Sequence, residues 1–108
     1  MELRKVTAII RCDALDRVEE RLQDLGVKGL TVTNVKGFGE YANFFAHTWL
    51  VTHSRIEIFT EKNRAEQIAA VIMQAAHTGG AGDGLVVILP VEKLFRIRTK
   101  AEAMPEEI

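Results

Sequence analysis

The stretch that decides the fold is IAAVIMQAAHTGGAGDGLVVIL, residues 68–89. Its first part repeats apolar side chains at helical spacing, and its last part, residues 85–89, is a continuous apolar run typical of a covered strand. Between them, residues 78–84 hold four of the chain's eight glycines. Two or three residues would have been enough for this connection. A helix, a long glycine-rich loop and a strand in this order indicate that the loop does more than connect.

Glycine-rich loops can bring backbone N–H groups to one point, because glycine adopts positive φ and lets the backbone approach a ligand. Downstream, Arg96 and Arg98 are expected on one face of a short strand. An anion-binding loop and two guanidinium groups together predict a phosphate site. The glycines follow a helix, whose C-terminus is negative, so the cations have to supply the attraction. The alternatives are a flexible loop without a ligand and two solvated arginines.

The first part of the chain repeats the alternation of strand and helix. Residues 3–11 are predicted as a strand, and Asp13 as the N-cap of a helix that Gly26 ends in the left-handed conformation. Residues 30–36 form the next strand. The helical apolar stripe consists of Leu15, Val18, Leu22 and Leu25.

The second part begins with a long strand region at residues 46–60. Thr60 or Asn63 can cap the following helix. Pro90 is expected to end the covered strand 85–89, residues 94–99 form a last short strand, and the polar tail 100–108 is expected to be mobile. The apolar stripe of the second helix consists of Ile68, Ala69, Ile72, Met73 and Ala76.

This order predicts an α+β fold of the ferredoxin-like βαββαβ type. An antiparallel sheet carries two helices on one face, with a short additional strand at the C-terminus. The whole chain, residues 1–108, is predicted as one domain. The other face of the sheet also carries apolar residues, so we expect self-association to bury it.

The composition excludes several classes of protein. With 108 residues and a net charge of −1, the chain has no basic field for nucleic acid. It has neither an apolar stretch of membrane-spanning length nor a signal-peptide pattern. Its one cysteine, Cys12, excludes an internal disulfide and suits the cytoplasm. No motif surrounds Cys12, which favours a plain strand-end residue over a catalytic thiol.

The loop at residues 37–47 is unusually apolar. Gly37 and Gly39 flank an aromatic residue, which is a signal for chain reversal, and Tyr41, Phe44 and Phe45 follow. Such a loop is expected to dock on its own body, on a sister subunit or on a partner.

Catalytic and metal-binding patterns are weak. His47 and His53 share one strand face but lie roughly 20 Å apart at strand rise, too far to hold one metal within a chain. An alternative is a trimer of the same fold that gathers copies of His47 or His53 around a divalent metal. A third hypothesis, a hydrolase of phosphate esters, lacks a general base, so we predict no enzymatic activity and no catalytic residues.

Three ordered motifs resemble the signatures of the P-II (nitrogen regulatory) signal-transduction proteins. They are VTNVKGFG at residues 32–39, TGGAGDG at residues 78–84 and RIRT at residues 96–99, with RIEI at residues 55–58 also fitting. The resemblance covers residues 3–99.

The resemblance implies a non-enzymatic, cytoplasmic homotrimer that binds adenine nucleotides (ADP, AMP or ATP) in clefts between subunits. It also implies that the loop after Lys36-Gly37-Phe38-Gly39 regulates a partner transporter or enzyme. As the charge and the lack of a long apolar stretch indicate, we expect no nucleic-acid partner and no direct membrane insertion. Carried over by position, the nucleotide-binding residues are Thr31, Gly37, Gly39, Phe59, Gly82, Asp83, Gly84, Leu85, Arg96 and Arg98.

The chain departs from the family's pattern at four positions. Tyr41 stands where a glutamine joins magnesium and 2-oxoglutarate, and Glu40 where a basic residue is usual. His53 replaces the lysine that holds 2-oxoglutarate, and Leu85 replaces a phosphate-binding lysine. Losing a charged hydrogen bond to phosphate costs about 1.5–3 kcal/mol. We therefore predict a divergent member that favours ADP or AMP over magnesium-bound ATP, with a weakened 2-oxoglutarate response and a role such as carbon uptake or metal efflux.

Overall fold

The computed structural model describes residues 1–39 and 50–108. Within these residues the structure has six strands and two α-helices. The first four strands and both helices follow one another in the predicted order, which confirms the α+β, ferredoxin-like fold. Short 3-10 helices occupy Cys12–Ala14 and Pro105–Glu107. The main elements are β1 Leu3–Ile10, α1 Leu15–Leu25, β2 Thr31–Gly37, β3 Val51–Glu61, α2 Lys62–Ala76, β4 Gly84–Val91, β5 Phe95–Arg96 and β6 Ala101–Glu102.

The main sheet is antiparallel, with strand order β2-β3-β1-β4. Val6 in β1 lies opposite Ile58 in β3 and Ile88 in β4, and this register fixes the other pairs. Alternate side chains point to the helices, as the two-residue period of a strand requires. The buried core residues from the sheet are Val6, Ala8, Ile10, Ile56 and Ile58.

The two helices pack antiparallel on one face of the sheet, and each supplies an arginine to the other's C-terminal end. Arg17 Nε near the start of α1 donates to the Ala75 carbonyl, and Arg64 Nη2 near the start of α2 donates to the Leu25 carbonyl, both at 3.1 Å. These carbonyls belong to the last turns, which lack partners inside the helix. Gly26 ends α1 at φ 95° as predicted, with its N–H directed at Leu22 and Gln23 carbonyls.

The predicted N-caps are wrong. Asp13 lies within the 3-10 turn, and neither Ala14 before α1 nor Glu61 before α2 makes a side-chain cap bond. Strand β3 runs directly into α2, and the Lys62 N–H donates to the Glu2 carbonyl at 3.0 Å. Backbone from the N-terminus therefore satisfies a donor that a capping side chain would otherwise serve.

Strand β4 is an edge strand rather than a central, covered one. It extends past Pro90 to Val91, and Leu85, Val87 and Leu89 on its open face are 50%, 39% and 40% exposed. Proline is compatible with an edge strand, because its missing N–H can face away from the neighbouring strand. The continuous apolar run at residues 85–89 predicted a strand covered on both faces, but one of its faces is exposed. Periodicity alone does not distinguish these two cases.

The face of the sheet opposite the helices combines apolar and charged side chains. Leu85, Val87 and Leu89 form an apolar strip along one side, and Phe59 is 45% exposed. Glu57 Oε1 lies 3.2 Å from Lys5 Nζ and 3.6 Å from Arg55 Nε. This open face is the surface that the sequence predicted to be buried by self-association.

The C-terminal region forms a hairpin instead of one strand over residues 94–99. Strand β5 pairs with β6, and the Lys100 N–H closes the turn between them on the Arg96 carbonyl at 2.8 Å. Lys100 has φ 58°. The tail, for which mobility was expected, takes a defined course: Ala103 is buried and its N–H donates to the Leu94 carbonyl at 2.9 Å.

Candidate functional site

The glycine-rich loop at residues 78–84 is organised around the side chain of Asp83. Its Oδ2 accepts from the N–H groups of Thr78 and Gly79 at 2.8 and 2.9 Å, and its Oδ1 accepts from the Thr78 hydroxyl at 2.5 Å. The Gly80 N–H donates to the same hydroxyl oxygen at 3.1 Å. The loop is thus a nest for its own carboxylate. The Thr78 and Gly79 N–H groups are therefore already engaged and do not donate to an external phosphate.

Two side chains, one just after β1 and one in β3, make polar contacts with this loop. Arg11, which follows β1, directs Nε to Asp83 Oδ1 at 3.1 Å and Nη2 to the Ala81 carbonyl at 2.5 Å. His53 in β3 is 4% exposed, and its Nε2 lies 3.1 Å from the Gly82 carbonyl. A carbonyl only accepts, so His53 Nε2 carries the proton in this contact.

Hydrogen bonding also changes the acidity of Asp83. The Thr78 hydroxyl and N–H, followed by the Gly79 N–H and Arg11, hold the pKa of the Asp83 carboxyl well below its usual range. These donors favour the charged form, and partial burial opposes them more weakly. Asp83 is therefore a fixed negative charge inside the loop.

Gly84 joins the loop to β4 at a point of very close backbone contact. It lies opposite Ile10 in β1 with φ 100°, and a Cβ there would lie 1.7 Å from the Ile9 carbonyl oxygen. Only glycine fits this combination of positive φ and contact. The loop is therefore pressed against the end of β1, beside Arg11.

A second group of predicted residues lines a cleft of about 840 Å³ elsewhere on the chain. Phe59 forms part of its wall, and Arg96 and Arg98 enter from the C-terminal hairpin. Arg98 lies in the turn between β5 and β6, so the two arginines do not share a strand face as predicted. Thr31 lies opposite Glu57, two residues from Phe59 along β3.

The remaining predicted residues lie toward the opposite end of the sheet, on its two edge strands β2 and β4 and the loops beside them. Gly37 lies opposite Val51, and Gly39 follows it closely. Gly84 pairs with Ile10, whereas Phe59 pairs with Lys5 in the same strand. Five residues of strand separate these points by about 17 Å. We call Gly37, Gly39, Gly82, Asp83, Gly84 and Leu85 the loop group, and Thr31, Phe59, Arg96 and Arg98 the cleft group.

The metal alternative gains no support from the described residues. No group of three or more histidine, cysteine, aspartate or glutamate side chains in residues 1–39 and 50–108 could hold a metal ion. His53 is directed at the Gly82 carbonyl, and His47 lies outside the described residues. Glu40, Tyr41, Phe44 and Phe45 lie outside them too, and with them most of the predicted docking loop.

Sequence reasoning missed two basic residues near the site. Arg11 reaches the glycine loop only because Ile10 and Gly84 are neighbours in the sheet, a register that no local pattern reveals. Lys28 lines the same cleft as the two arginines. The sequence around Lys28 did not predict its place in the cleft. The two arginines belong to a hairpin some seventy residues later in the chain, so only the folded structure brings them together with Lys28.

The arrangement of these motifs corresponds to a known protein family. The family model described as "Nitrogen regulatory protein P-II" matches residues 3–101. The chain belongs to the P-II family. It is 40% identical to the nitrogen regulatory protein P-II of Azospirillum brasilense, over 90% of this chain and 93% of that protein. It is 36% identical to the P-II protein of Pasteurella multocida, over 93% of this chain and 96% of that one.

A solved P-II structure shows the same fold. The crystal structure of Arabidopsis thaliana PII bound to citrate superposes with a TM-score of 0.81 at 32% identity, covering 94% of this chain and 85% of that one. The family assignment makes this chain a signal-transduction protein of a family named for nitrogen regulation. Among its described residues, no helix is long and apolar enough to cross a membrane.

Proposed function

We propose that this P-II protein is a non-enzymatic regulator that binds an adenine nucleotide between subunits of a homotrimer. The observation that carries the proposal is that Gly84 of the loop group and Phe59 of the cleft group lie about 17 Å apart along the sheet within one chain. A single copy offers two half-sites. When a second copy brings its cleft group to the loop group of the first, the glycine loop, the aromatic Phe59 and the two arginines surround one ligand.

The exposed sheet face gives a reason for such an assembly. Val87 and Leu89 are exposed beside the Lys5–Glu57 ion pair, and exposed apolar patches bounded by polar groups mark interaction surfaces. Assembly through this face would hold the two half-sites of neighbouring copies together. A nucleotide bound across the contact would then favour one arrangement of the adjoining loop, which a partner transporter or enzyme reads.

The charge of the site favours nucleotides with fewer phosphates. Leu85 offers no cation in the loop group, and Asp83 keeps a negative charge there. His53 is held by the Gly82 carbonyl rather than extended toward a ligand. We therefore propose ADP or AMP as the preferred effector, with a weak response to 2-oxoglutarate.

Calorimetric titration with AMP, ADP and ATP, each with and without magnesium and 2-oxoglutarate, tests this function. Arg98→Ala should weaken ADP binding by about ten-fold or more, since a charged hydrogen bond to phosphate is lost. Lys93→Ala is the matched control, because Lys93 pairs with Glu102 at 3.6 Å and does not line the cleft. Absence of any nucleotide binding by the wild type would contradict the proposal.

Mixed assemblies test whether two copies share one site. Gly39→Glu places a carboxylate in the loop group, and Arg98→Ala removes a cation from the cleft group. Each variant alone should bind ADP poorly, whereas co-refolded mixtures should regain some tight sites, where an intact loop group meets an intact cleft group. A mixture that binds no better than its components would show that each chain forms its own site.

A further inference from the structure

The acidic C-terminal segment, residues 105–108, rests in the cleft that the nucleotide would need. Arg96 Nη2 donates to the Glu107 carbonyl at 2.5 Å, and Arg96 Nε lies 3.9 Å from Glu107 Oε2. Glu107 and Ile108 line the cleft together with Phe59 and Arg98. One of the two arginines of the cleft group is therefore already engaged by an acidic residue of the same chain.

A lysine that lines the cleft holds the segment as well. Lys28 Nζ donates a hydrogen bond to the Glu106 carbonyl. The Glu107 carboxylate is itself oriented, because its Oε2 accepts from the Met104 N–H at 2.7 Å. Immediately before, the buried Ala103 is anchored through its N–H to the Leu94 carbonyl. The segment thus contacts two cations of the cleft, Lys28 and Arg96, through two of its carbonyls and one carboxylate.

We propose that residues 105–108 are an internal competitor for the phosphates of a bound nucleotide. The inference rests on the proposed function and adds a regulation of that same site. The N–H groups of Arg96 that contact Glu107 are not free to donate to a phosphate at the same time. In addition, the Glu107 carboxylate repels a phosphate placed beside it. Tight binding therefore requires the segment to leave the cleft, and the apparent dissociation constant rises by the inverse of the fraction of molecules in which it has left.

The competitor also discriminates between nucleotides. Repulsion by Glu107 grows with the number of phosphate charges, so ATP is penalised more than AMP. Lys28 and Arg96, once released, would be available to whichever phosphates replace the segment. The segment thus adds to the preference for less charged nucleotides that we propose from the absence of a cation at Leu85.

Full-length Glu107→Gln and a chain ending at Met104 test the proposal by calorimetric titration with ADP and ATP. Glu107→Gln should bind ADP several-fold more tightly than wild type, with a larger gain for ATP, and the shortened chain should gain more than Glu107→Gln. Glu102→Gln is the matched control, because it removes the same charge from a carboxylate that pairs with Lys93 outside the cleft. Its affinity should equal that of the wild type.

Hydrogen exchange gives a second readout in the unmodified protein. The Glu107 N–H donates to the Met104 carbonyl at 2.9 Å, and ADP should speed its exchange by displacing the segment. Slower exchange with ADP, or unchanged or weaker ADP binding in both variants, would overturn the proposal while leaving nucleotide binding intact. If neither the wild type nor the shortened chain binds ADP, the proposed function fails and this inference falls with it.

Discussion

At position 83, one carboxylate accepts hydrogen bonds from two N–H groups, a hydroxyl and the Arg11 guanidinium. Because its pKa is lowered in the folded protein, its contribution to stability is complete above the ordinary carboxyl pKa of about 3.9 and is lost as the pH falls from there toward the folded value. Wild type should therefore lose stability relative to Asp83→Asn below about pH 4. Urea unfolding of both proteins at pH 7 and pH 3 measures this.

We expect the urea midpoint of the wild type to exceed that of Asp83→Asn by more at pH 7 than at pH 3. Asp24→Asn, which changes an exposed carboxylate on α1, serves as the control and should follow the wild type. A gap that stays constant with pH would show that the Asp83 contacts do not depend on its charge.

Gly84 offers a second test at the scale of one residue. Gly84→Ala should cost at least about 1–3 kcal/mol of unfolding free energy for the positive φ alone, and the contact with the Ile9 carbonyl adds to this. Gly29→Ala is the comparison, because a Cβ there meets no atom within 4 Å. Equal urea midpoints for the two variants would contradict the close contact.

At the scale of elements, the two helices are joined by their reciprocal arginine contacts. Arg17→Ala and Arg64→Ala should each lower the unfolding free energy by about 1 kcal/mol, since a cation is removed from a helix C-terminus. The sites lie about 12 Å apart along α1, so the double variant should show the sum. Arg21→Ala, exposed on the same helix, is the control, and a loss equal to that of Arg17→Ala would refute the capping role.

The order of the elements was predictable because it depends on local periodicity. The Gly26 end of α1 was predictable too, since a left-handed cap has a local chemical signal. The starts of the helices were not, because the Glu2 backbone replaces a capping side chain at α2. The edge position of β4 was not predicted for a similar reason. Strand order depends on contacts between distant segments, and a run such as LVVIL is compatible with both a central strand and an edge strand.

At the scale of the whole molecule, the open sheet face predicts the state of assembly. Val87→Glu places a charge in this face and should shift the protein from a trimer toward a monomer, measured by sedimentation equilibrium. Gln23→Glu is the control, because Gln23 is exposed on α1, on the helical side of the sheet. A wild-type monomer, or a Val87→Glu trimer of unchanged stability, would contradict assembly through the face.

The sequence named the glycines and arginines of the proposed site by their chemistry, but it did not predict where the folded chain places them. Their separation follows from the register of Lys5, Ile10 and their partners, which only the folded sheet supplies. The contact between Arg11 and Asp83 in the glycine loop depends on the same register.

Pro90 in the edge strand β4 limits how copies of this chain can grow together. An exposed strand edge is a template on which further strands can be added without end, and this is the geometry of a fibre. A residue without an N–H interrupts the row of donors that such addition needs. This is consistent with the proposed assembly, in which copies associate through the face of the sheet and not through its edge. Pro90, which was expected to end the strand, thus opposes open-ended addition of strands at this edge.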